Sequence, residues 1–179
     1  MADLGRGVKA GIAAGVIAFL LAGIIGLALE IVFYDEIMAA TIDAIDQMGD
    51  RLGMTDEQIE RMKAETMERG IGPLQMVITL VFSAIGGVIV GVIFGLIYAA
   101  AYGMLPGKTP IAKGIVIGII VFIVRLLFAF GIEALISSFM GMNVKISGVY
   151  EALNYVSTLV TSLIFGYLLG MFWVRFEPK

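Results

Sequence analysis

The sequence contains no cysteine and no histidine among its 179 residues. These two absences exclude disulfides, thiol redox chemistry, iron–sulfur clusters and histidine-ligated haem, because the required side chains are missing. Nearly all zinc and copper sites and every histidine-based acid–base mechanism are excluded for the same reason. We therefore predict no cofactor and no metal centre, and we favour a non-enzymatic protein.

Charge is also scarce, since only 15% of the residues are charged and the net charge is −3. No basic patch with interleaved aromatic residues is present, so no nucleic-acid partner is expected. In contrast, 60% of the residues are hydrophobic and the mean hydropathy is +1.00. A chain of this composition is too apolar for a soluble domain. It predicts one membrane domain over residues 1–179, with the lipid bilayer as its first partner.

Four runs of the sequence are long and apolar enough to cross a hydrocarbon core of about 30 Å, which takes about 20 residues of helix. The runs are continuous rather than alternating, and four strands cannot close a barrel, so helices are predicted. The expected fold is all-α, an integral membrane four-helix bundle. The predicted spans are residues 8–33, 74–102, 111–138 and 149–174.

Basic residues collect at one end of the predicted spans, and the cytoplasmic ends of spans carry such an excess. This end holds Arg6, Lys9, Lys108, Lys113, Arg175 and Lys179. The opposite end holds Lys145 and the segment 34–72, in which ten acidic residues outnumber four basic ones. We therefore predict a multi-pass protein of the cell membrane with both termini cytoplasmic and residues 34–72 outside.

The chain also matches itself at two shifts. A shift of 103 residues places the first span on the third and equates Gly11 with Gly114, Gly15 with Gly118, and Glu30 with Glu133. A shift of 71 residues places the second span on the fourth and equates Phe94 with Phe165 and Gly95 with Gly166. These matches predict two tandem transmembrane hairpins related by an axis along the membrane normal, the first with an insertion between its helices.

The insertion, residues 34–72, predicts an extramembrane amphipathic helical hairpin rather than a loose loop. Its first helix runs on from the first span. Thr55 then begins T-D-E-Q, a capping-box pattern with Gln58 at the third position, which starts a second helix. The G-I-G-P stretch at residues 70–73 ends that helix. The hairpin is acidic and is expected to lie on or above the outer surface.

A single charge, Arg125, lies near the middle of the third span. An uncompensated arginine at the bilayer centre costs at least ~2.5–3.5 kcal/mol, so its side chain is expected to face the protein interior. Thr161 and Ser162 lie at similar depth in the fourth span. We favour a structural role, in which polar neighbours of Arg125 hold the helix register, over a contact with an anion or substrate.

Two glutamates, Glu30 and Glu133, are predicted at equivalent depths near the outer ends of the first and third spans. A close pair of carboxylates can bind a cation or share a proton, but two interfacial acids that reach water are the simpler interpretation. Glu133 also follows Arg125 by eight residues, about 12 Å along a helix. The two side chains can bridge that distance together.

Glycines recur at every fourth position in each predicted span, which allows the backbones of neighbouring helices to approach closely. The predicted packing positions are Gly7, Gly11, Gly15, Gly87, Gly91, Gly95, Gly114, Gly118, Gly166 and Gly170. A four-helix unit has few buried positions for four such faces. Assembly into a homo-oligomer or with other membrane subunits is therefore predicted.

Three weaker patterns have simpler explanations. Asp43, Asp46 and Asp50 share a helix face that could hold a divalent cation, but such faces are more often solvated. Methionines concentrated in the insertion suit flexible packing better than copper binding. The turn at residues 106–110 shares letters with a phosphate loop but lacks its strand and upstream glycine.

The first functional hypothesis is a non-enzymatic scaffold, oligomeric or a small subunit of a membrane complex, because catalytic residue types are lacking and the acidic hairpin can present a docking face. The alternative is a small transporter or channel with a pathway around Arg125, Thr161 and Ser162, with the two glutamates at its outer mouth. A membrane enzyme ranks third.

Overall fold

The computed structural model describes residues 3–70, 72–140 and 146–177. Over these ranges the chain forms only helices: α1 (Leu4–Val32), α2 (Tyr34–Leu52), α3 (Asp56–Arg69), α4 (Pro73–Ala101), α5 (Pro110–Met140) and α6 (Gly148–Arg175). Four of them, α1, α4, α5 and α6, are long and apolar enough to cross a membrane. The predicted all-α fold is confirmed, with four helices that qualify by length and composition as membrane spans. Lys145 and Lys179, which contributed to the predicted orientation, lie outside the described residues.

The start of α1 is set by a side-chain cap. The carboxylate of Asp3 accepts a hydrogen bond from the backbone N–H of Arg6 at 2.9 Å. This bond satisfies one of the N–H groups that a helix leaves without a partner at its start. The helix therefore begins at Leu4, one turn before the predicted start of the first span at residue 8.

The four long helices lie in the order α4, α1, α6, α5, because α1 contacts both α4 and α6, and α6 contacts both α1 and α5. Helices α4 and α5 are consecutive in the chain but touch little. We call the end that carries the described N- and C-terminal residues the terminal end. The opposite end, where α1 passes into α2, is the hairpin end.

Helices α1 and α4 are in backbone contact along a ladder of three glycine pairs: Gly7 with Gly95, Gly11 with Gly91, and Gly15 with Gly87. A Cβ atom added at any of these positions would collide with the carbonyl oxygen of the facing glycine. The pairs run in opposite chain directions, so the helices are antiparallel. Close contact of this kind matters in lipid, where apolar surface alone gives helices little reason to associate.

Helices α5 and α6 meet in the same way. A Cβ atom at Gly114 would collide with the carbonyl oxygen of Gly166, and one at Gly118 would lie 2.5 Å from the carbonyl oxygen of Ser162. Gly170 faces the backbone at the start of α5. The four glycine faces thus pair within the chain, α1 with α4 and α5 with α6, so their number does not by itself call for another subunit.

The buried core lies in the terminal half of the bundle. It combines alanines of α1 and α4 with larger side chains of α4, α5 and α6: Ala10, Ala14, Ala18, Phe94, Tyr98, Ala99, Ile117, Val121, Phe165, Leu169 and Trp173. The alanines bring α1 close to its neighbours, and the aromatic side chains fill the space between them. Side-chain packing is therefore denser in the terminal half of the bundle than in the hairpin half.

Helix α2 follows α1 after a break at Phe33, across which the hydrogen-bond ladder persists: its N–H donates to Leu29 and its carbonyl accepts from Ile37, both at 2.9 Å. Gly53, in the left-handed region with φ 63°, ends α2. The capping box predicted at Thr55 is confirmed, with both reciprocal hydrogen bonds to Gln58 formed.

Helix α3 folds back against α2. Ile59 packs on Gly49, and the Lys63 ammonium lies 2.7 Å from Asp46 and 3.1 Å from Glu60. The hydrogen bonds that Lys63 donates, first to Asp46 and then to Glu60, raise its pKa above the ordinary value of 10.5. The ion pair joins the two helices and gives the Asp46 carboxylate a cationic partner.

The glycine ladder predicts opposite effects for one substitution at two positions of α1. Gly11→Ala should destabilise the protein by about 1–3 kcal/mol, because the added methyl group forces the α1 and α4 backbones apart. Gly26→Ala should be neutral or stabilising by up to about 1 kcal/mol, since no atom lies within 4 Å of a Cβ at Gly26. Thermal unfolding of both variants in detergent measures the difference. Equal stability would contradict the backbone contact.

Candidate functional site

Arg125 lies half-buried at mid-depth in α5, facing α1 and α6. Its Nη1 donates a hydrogen bond to the Thr161 hydroxyl at 3.3 Å. Its guanidinium carbon lies 5.2 Å from the centre of the Phe19 ring, within the range of a cation–π interaction. The Thr161 hydroxyl in turn donates a hydrogen bond to the carbonyl of Ser157 at 2.8 Å. The charge is held by neutral groups, and among the described residues it forms no ion pair.

Ser162 is 1% exposed, and its hydroxyl has no hydrogen-bond partner within the described part of the chain. Its backbone packs on Gly118 rather than on Arg125. Of the two hydroxyl residues predicted beside Arg125, the structure brings only Thr161 into contact with it. Adjacent residues on a helix point about 100° apart, which explains why they diverge.

The structure separates the two predicted glutamates. Glu30 is half-buried in a cleft below α2 and α3, whereas Glu133 is exposed on α5. The suggested bridge between Glu133 and Arg125 does not form. Eight residues at about 100° each turn the helix face by about 80°, so Glu133 points outward where Arg125 points inward.

Of the three aspartates on this face of α2, Asp43 and Asp46 each have a partner of their own. Asp46 pairs with Lys63, and Asp43 accepts a hydrogen bond from the side chain of Gln47 at 2.9 Å. No three acidic residues within the described ranges lie close enough to hold a metal ion.

A cluster that the sequence did not predict occupies the terminal end, and we call it the terminal stack: Arg6, Tyr98, Tyr102, Lys113 and Trp173. The rings of Tyr102 and Trp173 stack with centres 5.0 Å apart, and the Tyr98 ring meets Trp173 edge-on at 5.2 Å. The Arg6 guanidinium lies 4.4 Å from the Trp173 ring, and the Lys113 ammonium lies 4.1 Å from the Tyr102 ring.

The two cations of the terminal stack also bind helix C-termini. Arg6 donates through Nε to the carbonyl of Trp173 near the end of α6, and Lys113 donates to the carbonyl of Tyr102 at the end of α4 at 2.6 Å. Carbonyls in the last turn lack helical partners and carry the negative end of the helix dipole, so a cation is stabilising there. Each cation thereby links the start of one long helix to the end of another.

From the sequence, Arg6 and Lys113 could be used only to predict membrane orientation. No pattern of neighbouring residues indicates that they contact Trp173 and Tyr102. The Tyr98 hydroxyl adds a third link by donating to the Pro110 carbonyl at 2.7 Å. The only feature of the sequence that could have drawn attention to this cluster is Trp173, the single tryptophan of the chain.

No protein-family model, curated protein or solved structure matches this chain.

The Arg125 contact predicts that Thr161→Val destabilises the protein by about 1–3 kcal/mol, because it leaves a half-buried charged donor without its acceptor. Thr158→Val is the matched control one turn away, since the Thr158 side chain makes no hydrogen bond within the described residues. Thermal unfolding in detergent compares them. Indistinguishable stabilities would mean that the Thr161 hydroxyl does not hold Arg125.

The terminal stack predicts that Arg6→Gln lowers stability by about 1–2 kcal/mol, through loss of a cation–π contact and a charged hydrogen bond. It should also shift the fluorescence of Trp173, the only tryptophan in the chain. Lys9→Gln removes the same charge from an exposed position of α1 and should leave the emission unchanged. An unchanged spectrum in Arg6→Gln would contradict the contact.

Proposed function

We propose that this chain is a non-enzymatic membrane scaffold that works as a homo-oligomer or as a small subunit of a larger membrane complex. It contains no histidine or cysteine that could act in catalysis. Its one mid-membrane charge is engaged by a hydroxyl and an aromatic ring. The long helices are in backbone contact along two glycine ladders, which supports a packing role for the bundle interior.

One observation carries the proposal: residues 127–135 of α5 are all exposed. Nine consecutive residues cover the full circumference of an α-helix more than twice, so this segment is exposed on every side, and its ring contact to the neighbouring helix is Phe130 with Tyr155 of α6 at 6.1 Å. It includes Phe128, which is 67% exposed, and the carboxylate of Glu133. A charged side chain on a lipid-facing helix is costly. Contact with another membrane helix would cover both.

We also infer that the chain is a tandem pair of hairpins, α1 with α4 and α5 with α6. The two glycine ladders support this, because Gly11 faces Gly91 as Gly114 faces Gly166. Matching the contacts equates Gly91 with Gly166, a shift of 75 residues (166 − 91), whereas sequence matching gave 71. The difference of four residues is about one helical turn, and in a glycine-rich chain either shift aligns glycines.

The orientation that we propose has both termini in the cytoplasm and the α2–α3 hairpin outside, above the membrane. The basic residues near the terminal end, including Arg6 and Lys113, support it through the excess of positive charge on cytoplasmic ends. The acidic character of residues 34–72 suits the opposite side. There the hairpin would present a charged face to partners.

A transporter or channel is the second candidate. It is favoured by the buried Ser162 hydroxyl, which has no partner within the described residues and lies one position from Thr161. Polar groups at mid-depth of a bundle are a common feature of substrate and ion pathways. In that case Arg125 would contact the transported species, and Arg125→Leu would abolish flux in liposomes while the protein stays folded and assembled.

The test of the scaffold proposal is native mass spectrometry of protein extracted gently from its own membranes, with two matched variants. Phe128 and Phe82 are 67% and 68% exposed, on α5 and α4 respectively. Phe128→Ala should dissociate the assembly, because Phe128 lies in the uncovered segment of α5. Phe82→Ala removes the same ring from the other outer helix and should leave the assembly intact.

The masses of the bound chains distinguish a homo-oligomer from an accessory subunit. A monomer in every preparation would contradict the scaffold proposal, as would equal dissociation by both variants. Flux that Arg125→Leu abolishes without dissociation would favour the transporter instead.

A further inference from the structure

A cleft with a volume of about 260 Å³ lies at the hairpin end, where the end of α1 meets α2 and α3. Its polar lining comes from Glu30, Tyr34, Thr41 and Thr66, and Ile37 and Met38 provide an apolar wall. Residues of three consecutive helices, α1, α2 and α3, thus line one space. The cleft is separate from the residues on which the scaffold role depends.

The two threonine hydroxyls of the cleft already donate their protons to backbone carbonyls. Thr41 donates to the carbonyl of Ile37, and Thr66 donates to the carbonyl of Met62, both at 2.8 Å. A hydroxyl carries one donor and two acceptor lone pairs. The oxygen atoms of both threonines therefore keep acceptor capacity but have no proton left for a ligand.

Glu30 adds a carboxylate to these acceptors. It is half-buried, and within the described part of the chain it has no hydrogen-bond or ion-pair partner. A partly buried carboxylate is stabilised by a cation that donates hydrogen bonds to it. Of the named lining side chains, only Tyr34 has a proton to donate. Among the described residues that line it, the cleft is thus rich in acceptors, and none of them carries a positive charge.

We propose that this cleft binds a small organic cation, a primary ammonium group on a short apolar chain. The ammonium has three donors, which match the Glu30 carboxylate and the oxygens of Thr41 and Thr66. The apolar chain would lie against Ile37 and Met38. A bare metal ion fits less well, because it would leave most of the 260 Å³ unfilled. The same ammonium chemistry occurs in free amines and in the headgroup of phosphatidylethanolamine.

The test uses the full-length protein in dodecyl maltoside micelles, which contain no ammonium group, and isothermal titration calorimetry at neutral pH. n-Butylammonium should bind, whereas n-butanol and butyrate, which match its length but not its charge, should not. Glu30→Gln should weaken n-butylammonium binding about tenfold or more, because it removes a charged hydrogen-bond partner. Glu133→Gln is the matched control, since Glu133 is exposed on α5, and should bind as the unmodified protein does.

A second variant keeps the test decisive if Glu30→Gln fails to fold. Met38→Trp fills the apolar side of the cleft while leaving Glu30 in place, and it should abolish n-butylammonium binding. Equal binding by n-butanol, or undiminished n-butylammonium binding in Glu30→Gln or Met38→Trp, would overturn the proposal, as would no binding at all. Dihexanoyl phosphatidylethanolamine then distinguishes the source: competition with n-butylammonium indicates a lipid headgroup, and its absence indicates a free amine.

Discussion

Direct backbone contact between antiparallel helices is the constraint on which this structure depends. In water, apolar side chains drive helices together, but in lipid the surroundings are as apolar as the helices themselves. Glycine removes the side chain at the contact, so the carbonyl groups of Gly87, Gly91 and Gly95 reach the backbone of α1. Dispersion forces over this close surface then replace the hydrophobic effect. The same arrangement joins α5 to α6.

Packing weakens from one end of the bundle to the other. The terminal half holds the core cluster, and the terminal stack joins the ends of the long helices through cation–π contacts and helix C-terminal carbonyls. The hairpin half holds an exposed stretch of α5 and the Glu30 cleft. A rigid half beside an open half suits a protein that offers one end for contacts while the other end maintains its fold.

The sequence predicted the parts of the fold that depend on neighbours along the chain. Helical spans follow from continuous apolar runs, and the capping box at Thr55 needs only Gln58 three residues away. It could not predict contacts whose partners are far apart, such as Arg6 with Trp173. It also gave a self-match of the second and fourth spans that differs by one turn from the register of the glycine contacts, because glycine positions alone match at more than one shift.

The sequence by itself determined that the chain is helical, that four helices can cross a membrane, and that Arg125 must face inward, because each follows from the cost of exposing polar groups to lipid. Only the tertiary structure decided that Arg125 contacts Thr161 and Phe19 rather than Glu133, and that Glu30 and Glu133 have different surroundings. Those outcomes depend on the rotation of each helix about its axis, which is set by packing between helices that are distant in the chain.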